Sequence, residues 1–337
     1  MRGHNVTTPT AVSDRFELVV VPRPDGVPSF AQDVATGLRA TPKRLFSKYL
    51  YDDVGSALFD AITRLPEYYL TRAETEILSQ WGWQIVRLLD APLDFLELGS
   101  GSAVKTRLLI GEALRVQGEL HYSPIDISTE AVRESSMALV QAYPTLAIRA
   151  YAGDYFDVLR SHVLRSERKM LAMFMGSNIG NYEPDRARSL LALLGAALRT
   201  GDGLLLGIDL KKDRATLERA YDDPAGVTAA FNRNLLARIN RELGANFDPR
   251  NFRHVARYDE IRGSVDSFLE AHDSAAVRIE RAGIDVTVEA GERIHTESSY
   301  KFADAELVQL ARAAGFRSES LWRDRERRFS VHLLVRQ

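Results

Sequence analysis

Cysteine is absent from this chain of 337 residues. Its absence excludes disulfides, thiolate catalysis and cysteine-ligated zinc together. No apolar run approaches the length of a membrane span, and the polar stretch Met1–Ser13 lacks the apolar core of a signal peptide. A cytoplasmic protein is therefore expected. The net charge is only -2, which gives no electrostatic reason to expect nucleic acid or an anionic membrane as a partner. The 7 histidines show neither a His-Glu-x-x-His nor a His-x-His spacing, so no metal site is expected. A Gly-x-Ser-x-Gly elbow and a Walker lysine are also missing, and hydrolase and phosphoryl-transfer readings lose their usual support.

What remains is an ordinary soluble composition, 45% hydrophobic and 27% charged, in a chain long enough for one large domain or two moderate ones. From residue 93 onward apolar strands alternate with helical patterns. Leu93–Leu98, His121–Ile127, Ala147–Ala152, Met170–Met175 and Gly203–Leu210 read as strands. Between them, Lys105–Arg115, Thr129–Gln141 and a segment opened by Pro184 read as helices. This rhythm predicts a doubly wound α/β sheet. Asp33–Leu89 reads as mainly helical. Asp213 to about Ala290 also reads as mainly helical, an insertion after the fifth strand, with strand signals returning near Ile294–Phe302. A helix at Asp304–Ala314 and two late strands, Ser318–Arg323 and Arg328–Val335, complete the pattern. A closing hairpin of this kind is typical of methyltransferase sheets. The expected organisation is residues 14–90 as the N-terminal helical part of a substrate lobe and 91–212 as a Rossmann-like core. Residues 213–302 then form the inserted part of that lobe, and 303–337 the end of the core sheet.

The segment Phe95-Leu-Glu-Leu-Gly-Ser-Gly-Ser-Ala-Val-Lys-Thr106 carries an apolar strand into a glycine turn and then a helix. Gly99 and Gly101 bring bare backbone to the carboxyl edge of the sheet, where a nucleotide-like cofactor binds. A dinucleotide fingerprint wants a third glycine where this chain has Val104. Asp126 ends the second strand, where an acid accepts from ribose hydroxyls of either cofactor class. Asp154 follows the third strand, where an acid can accept from an adenine amino group. The missing glycine, Asp154 and the terminal hairpin tilt the choice from a dinucleotide toward S-adenosylmethionine. Lys105 is within reach of a cofactor carboxylate. After the fourth strand, Met175-Gly-Ser-Asn-Ile-Gly-Asn-Tyr182 supplies uncharged donors and acceptors at Asn178 and Asn181.

Four further segments sharpen the reading. They are Tyr51-Asp-Asp-Val-Gly-Ser56, Leu65-Pro-Glu-Tyr-Tyr69 with Thr71-Arg72, Arg219-Ala-Tyr-Asp-Asp223 with Ala229-Ala-Phe-Asn-Arg-Asn234, and Thr296-Glu-Ser-Ser-Tyr-Lys-Phe302. Together with the glycine turn and the Asn178–Asn181 loop, they make the chain resemble the histidine Nα-methyltransferases of the ergothioneine pathway, from about Ala40 to the C-terminus. The resemblance implies a class I methyltransferase fold and S-adenosylmethionine as methyl donor. It further implies trimethylation of L-histidine to hercynine. It implies that Gly99, Lys105, Asp126, Asp154 and Tyr155 contact the cofactor, beside Gly101 of the same turn. Asn181 and Tyr221 match positions that hold the amino-acid carboxylate. Glu297 and Ser299 match those that bind the imidazole, with Tyr68 on its other side, and Tyr51 and Phe59 lie near the amine.

These roles suit the chemistry. An imidazole needs a partner for each ring nitrogen, and a carboxylate with a hydroxyl supplies both. The face of Phe59 suits a growing methylammonium. The amine must lose a proton before it attacks, and Tyr51 is the candidate acceptor or relay. The chain is expected to act as a monomer. Alternatives are an N-methyltransferase acting on another aromatic amino acid such as tryptophan, a nicotinamide-dependent oxidoreductase, or a binding protein without catalysis.

Overall fold

A computed structural model describes residues 10–22, 24, 26–90, 92–161, 163–164 and 166–337. In chain order, β1 (Thr10–Ser13) and β2 (Phe16–Val20) precede α1 (Phe30–Arg39), α2 (Asp53–Ile62) and α3 (Leu70–Arg87). Strands and helices then alternate through β3 (Leu93–Leu98), α4 (Thr106–Gln117), β4 (Leu120–Asp126), α5 (Thr129–Ala142) and β5 (Leu146–Ala152). The alternation continues with α6 (Tyr155–Arg160), β6 (Lys169–Phe174), α7 (Pro184–Ala197) and β7 (Gly203–Asp209). Helices α8 (Arg214–Tyr221) and α9 (Val227–Leu243) lead into β8 (Phe252–Asp259), β9 (Ser264–Ala271), β10 (Ala275–Ile279), β11 (Ile284–Val288) and β12 (Arg293–Tyr300). α10 (Asp304–Ala313), β13 (Phe316–Arg323) and β14 (Phe329–Arg336) follow. No described helix is long and apolar enough to cross a membrane.

The chain divides into two units. The first holds Arg72–Leu210 and Phe302–Gln337, with the described residues before Gly26; the second holds Gly26–Thr71 and Lys211–Lys301. Within residues 14–90, β2 and the helix α3 from Arg72 onward fall in the first unit, and Gly26–Thr71 falls in the second with the inserted residues. The insertion itself is not mainly helical: two helices are followed by five strands.

In the first unit nine strands form one sheet in the order β1-β2-β5-β4-β3-β6-β7-β14-β13. The pairs from β2 through β7 are parallel, and β14 runs antiparallel to both β7 and β13. The reversal of strand order lies between β3 and β6, and a ligand crevice is expected at their carboxyl ends. β3 and β7 are buried along their whole length, as strands covered on both faces must be. Leu96, Leu98, Phe174, Leu204 and Leu206 belong to the resulting core.

In the second unit β12, β9 and β8 form an antiparallel sheet, and β10 pairs with β11. A bulge at Thr296 puts Glu297 opposite Ser267 and Ser299 opposite Val265. The Thr296 hydroxyl donates to the Ser267 carbonyl at 3.0 Å. Asp52 caps α2 by accepting from Gly55 N–H at 2.8 Å, and ties it to α9 by accepting from Asn234 at 2.7 Å.

Candidate active site

In the first unit the loops after β3 and β6 meet at the switch point. Gly99 has φ +74°, and a Cβ there would lie 2.5 Å from the Tyr155 hydroxyl and 3.3 Å from Asn178 Nδ2. Only glycine fits that turn. A Cβ on Gly176 would lie 3.4 Å from Lys105 Nζ, so the lysine reaches from one loop to the other. Asp126 spans the end of β4 and the glycine turn, accepting from Gly101 N–H at 3.1 Å and Ser128 N–H at 3.0 Å. Burial raises its carboxyl above the ordinary aspartate value, and the backbone N–H groups of Ser128 and Gly101 oppose that rise. Asp154 caps α6 by accepting from Phe156 N–H at 2.9 Å. Burial, and then the Asp154 charge, push the Tyr182 phenol up, which places the two groups near each other.

Two buried carboxylates support this edge from below. Glu74 of α3 pairs with Lys105, and its two oxygens accept from Gly176 N–H at 2.9 Å each. Its head lies against β7 at Gly207, where a Cβ would come within 2.0 Å of Oε1. Glu97, at the end of β3, accepts from Thr106 Oγ1 at 2.7 and 2.8 Å and from the Tyr122 hydroxyl. Burial pushes its carboxyl up to about 7, against those hydrogen bonds and the Lys105 charge.

The second unit assembles an aromatic group beside a polar row. Tyr51 meets Phe59 and Phe231 edge-on, each with ring centroids 5.5 Å apart. Phe59 continues to Tyr68 at 6.1 Å, and Tyr68 to Tyr221 at 6.1 Å. Glu297 and Ser299 leave β12 on one face, as strand spacing requires. Ser299 Oγ lies 2.9 Å from the Tyr221 hydroxyl. Burial pushes the Glu297 carboxyl up to about 7 and the Lys301 charge pulls it down. Burial, followed by the charge of Glu297, raises the Tyr51 phenol well above its ordinary value.

Of the residues singled out in the sequence, Gly99, Gly101, Lys105, Asp126 and Tyr155 thus come together in the first unit. Asp154 stands beside them at the start of α6. Tyr51, Phe59, Tyr68, Tyr221, Glu297 and Ser299 come together in the second. Asn181 belongs to the first unit, in the short turn Asn178–Asn181 after β6. Sequence reasoning did not single out Glu74, Phe231 or Lys301. The last two stand inside segments already quoted, and a buried-side lysine at strand spacing from Glu297 was the available signal.

The bare backbone at Gly99, the half-buried Asp126 and the Lys105 amine fit an adenosyl cofactor with an amino-acid tail. Comparison with known proteins agrees. Residues 30–336 match the model of a family described as histidine-specific, SAM-dependent methyltransferases. The histidine N-alpha-methyltransferase of Mycobacterium tuberculosis is 42% identical over 306 residues, 90% of this chain and 94% of that protein. That of Mycolicibacterium smegmatis is 42% identical over 307 residues, with the same two shares, 90% and 94%. Ergothioneine biosynthesis protein 1 of Schizosaccharomyces pombe is 28% identical over 303 residues, covering 87% of this chain and 39% of that one. With a family model spanning nearly the whole sequence and relatives this similar, the chain belongs to the histidine-specific, S-adenosylmethionine-dependent methyltransferase family.

Proposed function

We propose that this chain methylates the α-amine of L-histidine three times, giving hercynine, the first step of ergothioneine biosynthesis. The observation that carries the choice of ring is Glu297. It is a buried carboxyl that accepts no hydrogen bond from any described residue, on the strand face that also presents Ser299. A neutral imidazole brings an N–H for the carboxylate and a lone pair for the hydroxyl. An indole brings an N–H alone and would leave Ser299 without a ring partner. The names of the relatives support the same substrate and pathway.

In this reading Gly99, Gly101, Lys105, Asp126, Asp154 and Tyr155 hold the cofactor, which supplies a methyl group on an already activated sulfonium. The chain's own task is alignment and proton handling. Asn181 and Tyr221 serve the amino-acid carboxylate, and Tyr68 covers the ring. The amine must shed a proton before it attacks. Tyr51 stays protonated because its phenol is raised, so it serves as a relay rather than as a phenolate base. Its oxygen accepts the amine's proton while its own hydrogen passes to solvent water. Phe59 offers a ring face to the methylated ammonium, a contact worth about 0.5–2 kcal/mol. In this reading the active unit is a single copy of the chain, in the cytoplasm.

Incubation with S-adenosylmethionine and a panel of amino acids, read by mass spectrometry, tests the proposal. Histidine should gain one, two and then three methyl increments. Trimethylation of tryptophan with histidine untouched would overturn it.

A further inference from the structure

A fully buried carboxylate holds the lysine that follows the glycine turn. Glu74 of α3 is 0% exposed, whereas the Lys105 side chain keeps 22% of its surface. Glu74 Oε2 accepts from Lys105 Nζ, and both Glu74 oxygens accept from Gly176 N–H at 2.9 Å. We infer that Glu74 is a positioning residue for the amino-acid tail of the cofactor: it fixes the Lys105 ammonium in place before the cofactor arrives. The inference rests on the reading of Lys105 as the partner of the cofactor carboxylate.

The fold makes room for this contact at two glycines. On β7 a Cβ at Gly207 would stand 2.0 Å from Glu74 Oε1, so a side chain there would displace the carboxylate. After β6, Gly176 has φ +76°, and a Cβ there would lie 3.4 Å from Lys105 Nζ. The bare backbone of Gly176 passes beside the ammonium while its N–H meets the carboxylate. The Asn178 amide lies between this loop and the glycine turn: a Cβ on Gly176 would be 3.5 Å from its Oδ1, and one on Gly99 3.3 Å from its Nδ2. The ammonium is thus held where the loops after β3 and β6 meet. Glu97, the other buried carboxyl acted on by the Lys105 charge, is engaged by the Thr106 and Tyr122 hydroxyls.

What the contact supplies follows from the chemistry of lysine. Its ammonium is a point charge on a flexible four-carbon stem, and immobilising that stem costs side-chain entropy. When Glu74 holds the stem still in the free protein, the cost falls on folding and not on binding. The ammonium has three N–H groups; Glu74 takes one, and two remain for a ligand. A buried pair contributes little net stability, since desolvation offsets the attraction. It contributes a fixed direction instead. Glu74 also carries the same charge as the tail carboxylate, so a purely Coulombic role predicts the opposite sign: neutralising Glu74 would then tighten binding.

The test compares two ligands by calorimetry: S-adenosylhomocysteine, and methylthioadenosine, which keeps the adenosine and the sulfur but lacks the amino-acid tail. The wild type should prefer S-adenosylhomocysteine, and Lys105→Met should remove most of that preference. Glu74→Gln should weaken S-adenosylhomocysteine about ten- to thirtyfold and leave methylthioadenosine within about twofold of the wild type. In the Lys105→Met background, Glu74→Gln should cause no further loss of S-adenosylhomocysteine, because Glu74 acts through Lys105. Equal weakening of both ligands by Glu74→Gln, weakening of neither, or tighter binding of S-adenosylhomocysteine would each overturn the inference and leave the reading of Lys105 intact. A preference that survives Lys105→Met removes that reading, and the inference with it. If Glu74→Gln fails to fold, the double variant, in which both charges are gone, still decides. S-adenosylhomocysteine binding equal to that of Lys105→Met supports the inference, and weaker binding overturns it.

Discussion

Replacing either partner of the Glu74–Lys105 pair should damage the protein unequally, and the inequality follows from burial. The Glu74 side chain is 0% exposed and that of Lys105 is 22% exposed. Lys105→Met strands a carboxylate with no water and only Gly176 N–H as donor, and breaking a buried pair in this way costs about 3–5 kcal/mol. Glu74→Gln strands a lysine that keeps partial access to water. It turns an amide N–H₂ toward a donor that formerly met an oxygen, and a lost hydrogen bond to a charged group costs about 1.5–3 kcal/mol. The double replacement leaves no uncompensated charge. It should be less damaging than Lys105→Met alone, giving a coupling of about 2 kcal/mol or more in a double-mutant cycle. The assay is unusually clean. All 3 tryptophans, Trp81, Trp83 and Trp322, lie in the first unit, so their fluorescence during urea unfolding reports that unit. S-adenosylhomocysteine binding should weaken with both single replacements, since Lys105 and the Gly176 loop lose their common anchor. Equal costs for the two single variants, or strict additivity in the double, would refute the argument.

Phe59→Leu should retain the first methyl transfer and slow the later ones by about 2- to 30-fold, the span of a lost cation–π contact. Mass spectrometry would show mono- and dimethylhistidine accumulating, and unchanged product ratios would refute the role. Glu97 is raised to about 7 in the fold, so the folded state holds its proton longer than the unfolded chain, and its contribution to stability is lost as pH rises from about 4.5 through about 7. Glu97→Gln should remove up to about 1.4 kcal/mol per pH unit of that fall, read from urea unfolding between about pH 5 and about pH 7; identical slopes in both proteins would refute it.

The alternating sheet was readable because its signals are local. Met170–Phe174 of β6 and Leu204–Ile208 of β7 are unbroken runs without a polar side chain, β3 is apolar but for Asp94 and Glu97, and Pro184 marks the start of α7. β2 escaped notice because Phe16–Val20 is short and gains its meaning from pairing with β5, far along the chain. The strands β8 to β11 were mistaken for helix for a different reason. Phe252–Asp259 mixes Arg253, Ala256 and Arg257, which favour helix, with Phe252, Val255 and Tyr258, which favour strand, and antiparallel pairing with β9 decides between them. Site residues divide in the same way. Gly99 and Asp126 announce themselves by position after a strand. Glu74 does not: its meaning comes from Gly207 and Gly176, more than 100 residues away, which supply the space and the donor. Phe231 resembles any apolar residue on a helix until Tyr51 and Phe59 are placed against it.

The bulge at Thr296 acts as a phase shifter. Upstream of it, Ile294 and His295 keep one inside–outside alternation with β9; downstream, the count restarts, and Glu297 and Ser299 take the face opposite to that of His295. The extra residue costs little because its hydroxyl meets the carbonyl of Ser267. One strand therefore carries two independent messages, one that anchors its outer end through Ile294 and one that presents Glu297 and Ser299 together. A designer could rewrite the second without re-registering the first.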